Sequence, residues 1–420
     1  MGCKSNQLEG ALIEEKLTLS GFEKTEKIED ADVFILNSCT VTHKSDNEAF
    51  HILMSVKKKN PNVINILTGC IAQIEKEKLL ENENIDIVLG NDEKLEIEKY
   101  LDKTIVSDIM SLDKFHEVIL KDTKKTRASL KIQDGCNNRC SYCIIPFARG
   151  QNRSADVDFI LEQIEIFEQA DFKEIVLTGI HIGQWGEDLS EKKSLLHLLE
   201  EIESKTQIQR FRLGSLNPLE IDDEMIEFLK NSEKFCPHFH LSLQSMCDKT
   251  LKSMNRKYSA QRALELIEQI SENFHLPFIG SDVIAGFVNE SEDDFAITVE
   301  NLQKSKLTQI HTFPYSIRKG TIAEKMQGHL SDKVKAHRAS VIKQISSEKH
   351  SLFLNKNLDS IQEVLIEKKL DKKTGFLKGV TRNYIDVLIE PSNEISVDKN
   401  SIQKIKIIDV KENVTAQIIS

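Results

Sequence analysis

Apolar residues recur along the first hundred positions at two alternating periods. Leu8, Leu12, Ile13 and Leu17 fall at helical spacing, which predicts a helix over residues 6–19, and residues 49–59 repeat that period. Short apolar runs at 32–36, 63–68 and 85–89 have the length of buried strands. Strands separated by helices predict a parallel sheet with covering helices. Beyond Tyr100 the pattern weakens into a linker that ends in Lys124-Lys-Thr-Arg127.

A second series begins at Leu130. Candidate strands at 130–133, 174–179, 211–215, 238–243, 278–284 and 308–313 alternate with helical stretches such as 159–169, 195–202 and 260–270. Six β/α units predict an open, partial barrel. Residues 332–354 then read as one long helix, with Val334, Val341, Ile345 and Leu352 on one face. From about Asn355 the chain changes to short β segments at 363–367, 376–380, 384–389 and 405–410, separated by Gly, Asn and Pro-Ser turns. That is the size and pattern of a small nucleic-acid-binding β-barrel. The chain therefore reads as α/β in three parts: a parallel α/β domain over 1–110, a partial (β/α)6 barrel over 122–352 and a small β-barrel over 355–420.

Length and composition agree with this division. The 420 residues, 40% hydrophobic and 29% charged, suit a globular chain of about three domains. No apolar run approaches the ~18 residues of a membrane span, and the N-terminus lacks the pattern of a signal peptide. The expected location is the cytoplasm, with no membrane partner, where eight cysteines stay reduced. The net charge of −11 argues against a nucleic-acid partner, but residues 118–155 carry eight Lys or Arg against two Asp, a local net of +6. Such a stretch is either a solvated basic surface or a patch facing phosphates. After Asn355 eleven Lys or Arg meet ten Asp or Glu, so charge alone does not mark the last part as an RNA binder.

The stretch with the local charge also carries the sharpest chemistry. Cys136, Cys140 and Cys143 stand in a Cys-x3-Cys-x2-Cys run that follows the strand at 130–133, on a loop where a β/α barrel keeps its reactive groups. Three thiolates close in sequence can hold three irons of a 4Fe-4S cube and leave the fourth open to a small molecule. A structural zinc would want a fourth ligand nearby, yet the next His is His181 and the next Cys is Cys236. A disulfide framework suits neither an odd set nor a reducing compartment.

A second set of three lies in the first domain. Cys39 and Cys70 each follow a predicted strand, and Cys3 precedes the first helix. In a parallel sheet all three converge on the edge formed by the strand carboxyl ends, which suggests a second cluster rather than buried, unligated thiols. Cys236 and Cys247 show no such pattern.

The first motif resembles that of the radical S-adenosylmethionine (SAM) enzymes. The whole arrangement is similar to the methylthiotransferase family, in which a cluster-binding domain precedes a radical SAM barrel and a TRAM domain follows. Asn37-Ser-Cys-Thr-Val-Thr42, Gly179-Ile-His-Ile-Gly183, His240-Leu-Ser-Leu-Gln-Ser245, Met254-Asn-Arg-Lys-Tyr258 and the run from Phe313 to Thr321 are most similar to the branch that acts on threonylcarbamoyladenosine in tRNA. The family usually has a strand ahead of its first Gly-Cys, whereas Met1 directly precedes Gly2 here, so that strand is missing or the chain starts further upstream.

The resemblance implies two 4Fe-4S clusters and SAM. Cys136, Cys140 and Cys143 would hold the cluster that cleaves SAM, and Cys3, Cys39 and Cys70 the one that carries or delivers sulfur, six cysteines with a catalytic as well as a metal-binding part. Tyr142 would lie next to the adenine of SAM, with Thr178, Gly179, Ser242, Gln244, Ile284 and Gly286 along the rest of the cofactor. Arg149, Arg153, Arg256 and Lys257 are the candidates for phosphate contact with a tRNA anticodon loop, and an electron donor and a sulfur donor complete the partners. Two rival readings stay open: the same chemistry on isopentenyladenosine or a ribosomal-protein residue, and a non-catalytic iron-sulfur RNA-binding redox sensor. A sensor needs no SAM pocket, so SAM cleavage to 5′-deoxyadenosine separates the two classes.

Overall fold

The structure, a computed structural model, describes residues 2–40, 42–120, 125–391 and 397–419. Met1, Val41, residues 121–124 of the basic linker, residues 392–396, which begin with the Ser of the Pro-Ser turn, and Ser420 lie outside the described residues.

The first sheet is parallel, with strands β1 (Val33–Ser38), β2 (Ile64–Gly69) and β3 (Ile87–Leu89) in the order β1-β2-β3. Helix Lys4–Leu19 packs Ile13 against Ile66, Ile87 and Leu89 on one face, and helix His43–Lys59 packs Ala49 and Leu53 against Leu36, Leu67 and Val88 on the other. The second helix starts at His43, ahead of its apolar period, because the Thr42 hydroxyl accepts from Ser45 N at 3.2 Å and caps the first turn.

The middle of the chain forms six parallel strands in two groups. β4 (Ala128–Lys131) is followed by a short antiparallel pair, β5 (Gln133–Asp134) and β6 (Arg153–Ser154), and pairs with β7 (Glu174–Thr178), which pairs with β8 (Arg210–Leu213). β9 (His238–Gln244), β10 (Phe278–Ala285) and β11 (Gln309–Pro314) make the other three. The groups meet at Leu216, whose N donates to His240 O at 3.0 Å and whose carbonyl accepts from Ser242 N at 2.9 Å. Leu130, Leu177 and Leu213 join the main core with Ile160 and Leu198 of the outer helices. Their alternating neighbours Ser129, Val176 and Arg212 share one register row and so face the lumen.

The last helix, Asp332–Asn357, buries Ile342, Ile345 and Phe353, while Leu352 is 63% exposed, so its apolar face is rotated from the one the period predicts. It leads into a closed barrel of β12 (Ile361–Ile366), β13 (Leu377–Thr381), β14 (Asp386–Ile389), β15 (Ile402–Asp409) and β16 (Thr415–Ile418), ordered β12-β13-β14-β16-β15. Arg212 ties this barrel to the lumen of the larger one, donating to the carbonyls of Thr381 and Arg382 at 2.7 Å each. No helix among the described residues is long and apolar enough to cross a membrane.

Candidate cluster and substrate site

Register places the N-terminal cysteines. Ser38 pairs with Gly69 at the ends of β1 and β2, so Cys39 and Cys70 follow on adjacent strand ends. Gly2 packs so closely on this edge that a Cβ built on it would stand 2.8 Å from Cys39 Cβ, which puts Cys3 at the same edge. Asn6 Nδ2 donates to Ser38 O at 3.0 Å, and Asn37 Nδ2 to Asn6 O at 2.9 Å, locking the first helix to β1. Cys39 and Cys70 are buried and Cys3 is exposed.

The second set sits on the loop above β5. Gly135 must be glycine, since its φ is 72° and a Cβ there would fall 1.7 Å from Gln151 O. Ser141 anchors the loop to the far side of the barrel: its N donates to Met254 O at 3.1 Å and its hydroxyl to Ser253 O at 2.8 Å. Cys136, Cys140 and Cys143 are half-buried, and none of the eight cysteines forms a disulfide. Arg256 Nη1 lies 3.5 Å from Cys140 Sγ, and His181 Nδ1 lies 3.5 Å from Cys136 Sγ. His181 is held in turn by Glu220 and Asn217. Burial alone would lower the His181 imidazole, but its bonds to Cys136 and Glu220 push it up to about 10.

This donor set fits a cube. Burial pushes the Cys143 thiol up to about 12, with Cys140 and Cys136 adding to the rise, so it needs a strong cation such as iron to become a thiolate. Among the described residues no three His, Cys, Asp or Glu side chains form a group able to hold a single metal ion.

The residues expected around SAM line the same end of the lumen. Thr178 ends β7, and Gly179 follows it so close to Gln133 that a Cβ would lie 2.7 Å from Gln133 Oε1. Gln133 went unnoticed in the sequence, yet it clasps the cysteine loop: its Nε2 donates to Gly135 O and Asn152 Oδ1 at 2.7 Å, and its Oε1 accepts from His181 N at 2.7 Å. Ser242 and Gln244 alternate with buried Leu241 and Leu243 on β9 and face the lumen, and half-buried Ile284 does so on β10. Gln244 closes its strand at φ 65°. The Tyr142 ring stands edge-on to Phe287 at 6.2 Å. Gly286 differs from the rest: its N–H is taken by Glu290 Oε2 at 3.0 Å and a Cβ there would meet Lys335 Cγ at 2.8 Å, so only its carbonyl is left for a ligand.

The structure corrects the expectation that Arg149 and Arg153 line an RNA surface. Arg149 is 0% and Arg153 4% exposed, because Glu9 and Asp134 draw their guanidiniums inward. Arg256 is half-buried, donating to Asn217 and to Ser242 O at 2.7 Å beside Cys140. Lys257 alone of the four is exposed, with its ammonium 2.9 Å from Asn255 Oδ1.

Comparisons with known proteins agree with this arrangement. Residues 130–302 match the radical SAM superfamily, and residues 1–90 match a family described as uncharacterized protein family UPF0004. Threonylcarbamoyladenosine tRNA methylthiotransferase MtaB of Aquifex aeolicus is 35% identical over 94% of this chain and 96% of its own, and that of Bacillus subtilis is 33% identical over 97% and 92%. A tRNA-2-methylthio-N(6)-dimethylallyladenosine synthase of Thermodesulfovibrio yellowstonii is 34% identical over 91% and 89%. Among solved structures, the radical SAM methyltransferase TsrM of Kitasatospora setae superposes with a TM-score of 0.53 at 11% identity, covering 72% of this chain and 71% of that one, which shows a shared fold.

Proposed function

The chain belongs to the radical SAM methylthiotransferase family, and on that footing we propose that it adds a methylthio group to carbon 2 of threonylcarbamoyladenosine at position 37 of tRNA, beside the anticodon. One observation favours this acceptor over isopentenyladenosine, which the relatives leave nearly level. A cavity of about 360 Å³ opens on the lumen row of Ser129, Val176 and Arg212, and six Lys or Arg line it, among them Lys4, Arg127 and Lys378, against a single carboxylate, Glu367. Arg212 and Arg127 each lie over the Tyr384 ring, at 5.2 and 5.8 Å. The threonylcarbamoyl arm, which begins two ring bonds from carbon 2, ends in a carboxylate that such cations would attract. An isopentenyl arm has no charge to offer these cations.

The roles follow from placement. Cys136, Cys140 and Cys143 would hold a 4Fe-4S cluster, which together with SAM would supply the radical chemistry that removes the hydrogen of carbon 2. Arg256 and His181 offset thiolate charge, Gln133 fixes the cysteine loop against β7, and Tyr142, Thr178, Gly179, Ser242, Gln244, Ile284 and the Gly286 carbonyl shape the SAM pocket. Cys3, Cys39 and Cys70 would hold a second cluster that passes on sulfur from an outside donor. The segments 1–110, 122–352 and 355–420 then act as sulfur-delivering, radical-forming and RNA-gripping units, with Lys257 on the RNA side.

The test uses anticodon stem-loops carrying threonylcarbamoyladenosine or isopentenyladenosine, offered to the reconstituted enzyme and read by nucleoside mass spectrometry. Methylthiolation of the first alone is expected. Preferential conversion of the isopentenyl loop would overturn this acceptor. Loss of the methylthio form of threonylcarbamoyladenosine from the tRNA of a strain lacking the gene is the matching result in cells.

A further inference from the structure

Arg149 joins the two cysteine sites. It closes the five-residue helix Ile145–Arg149, which starts just past Cys143, and its fully buried guanidinium reaches the other triad. Nε donates to Cys70 Sγ at 3.2 Å, Nη2 donates to Glu9 Oε2 at 3.0 Å, and further bonds run to Glu9 Oε1 and Asn6 Oδ1. Glu9 cannot cancel the guanidinium alone, because Lys94 and Lys131 share the same carboxylate at 2.6 and 2.8 Å. With Asp134 and Arg153 the buried group holds four cations against two carboxylates, a surplus of two positive charges. Besides Glu9, Arg149 donates to the neutral Asn6 amide oxygen and to the Cys70 sulfur, and of these two only the sulfur becomes an anion on binding a metal.

We infer that Arg149 is a positioning residue for the N-terminal cluster, raising its reduction potential through the Nε–H bond to the Cys70 sulfur and holding it against the loop that carries Cys143. This rests on the reading that Cys3, Cys39 and Cys70 hold a cluster. One-electron reduction adds a negative charge to a cube and makes or breaks no bond, so a cationic donor on a ligand sulfur stabilises the reduced form. A charged donor of this kind shifts the reduction equilibrium about tenfold, about 59 mV for one electron.

The experiment takes the full chain with Cys136, Cys140 and Cys143 changed to Ala, reconstitutes it anaerobically, and titrates the remaining cluster with dithionite under electron paramagnetic resonance. Arg149→Gln is expected to keep about four irons and to lower the midpoint potential by about 59 mV. Arg149→Lys keeps a cation against Glu9 but cannot reach Glu9 and Cys70 together, so it also lowers the potential, and it decides the matter if Arg149→Gln does not fold. Lys131→Gln removes a cation from Glu9 without touching a cysteine and is expected to shift the potential far less. Wild-type potentials in both Arg149 variants, or an equal shift in Lys131→Gln, would overturn the inference alone. A triple-Ala background that binds no iron would instead bring down the second cluster, and the inference with it.

Discussion

Ser38 and Gly69 stand opposite one another at the carboxyl ends of β1 and β2, and that single pairing sets Cys39 beside Cys70. The close fit depends on the missing side chain of Gly69, at φ 98° with the Ser38 carbonyl oxygen 2.2 Å from where a Cβ would sit.

Gly69→Ala must therefore push the two strand ends apart. It is expected to cost roughly 2 kcal/mol or more in stability and to reduce reconstituted iron from about eight to about four per chain. Thermal melting and an iron assay check both. Full iron loading in this variant would mean that Cys70 is not a ligand.

The two triads should fail differently. Cys140→Ala is expected to abolish SAM cleavage, whereas Cys39→Ala keeps cleavage and loses methylthiolation. Product analysis for 5′-deoxyadenosine and for the methylthio nucleoside separates the two, and normal sulfur insertion by Cys39→Ala would reduce the N-terminal cysteines to packing.

Lys257 and Arg153 make a contrasting pair for RNA binding. Exposed Lys257 should contact phosphate, so Lys257→Ala lowers affinity for all tRNAs and flattens the dependence of log affinity on log salt by about 0.7 to 1. Buried Arg153 pairs with Asp134, so Arg153→Ala leaves that slope unchanged and instead costs roughly 1–2 kcal/mol of stability. Binding measured at several salt concentrations tells the two apart.

The helix Glu292–Lys304 carries a capping box in which Ser291 and Asp294 each accept from the other's backbone N–H. Burial alone would raise the Asp294 carboxyl, but hydrogen bonds from Lys249 and Ser291 bring it down to about 2. Because the folded value lies below the ordinary ~3.9, the carboxylate stabilises the fold above that pH. Its contribution fades as pH falls through about 2. Asp294→Asn and Ser291→Ala should each cost about 1 kcal/mol at neutral pH, and the deficit of Asp294→Asn relative to wild type should shrink in acid melts.

Local pattern exposed much of this architecture, because strands and amphipathic helices write their periods into a few adjacent residues. The strand runs ending near Leu36, Thr68 and Leu89, and the six runs of the larger barrel, lie where the structure has strands. β16, at Thr415–Ile418, escaped notice because four residues with one buried Ala leave almost no alternation to read. The places of Cys39, Cys70 and the Cys136–Cys143 loop just after strands were legible from the pattern, and the structure has them there. Their surroundings were not: Glu220 meets His181 from 39 positions away, and Glu9 meets Arg149 from 140. A count of basic residues cannot tell a cation that faces water from one drawn inside by a distant carboxylate, which is why Arg149 and Arg153 looked like surface charges.

The short helix Ile145–Arg149 also sets a limit on how this chain can vary. Each residue added or removed between Cys143 and Arg149 would turn the guanidinium by about 100° around the helix axis and carry it away from Glu9 and Cys70. Chains sharing this arrangement should tolerate changes of side chain at Phe147, which faces solvent, but not changes of length across the segment.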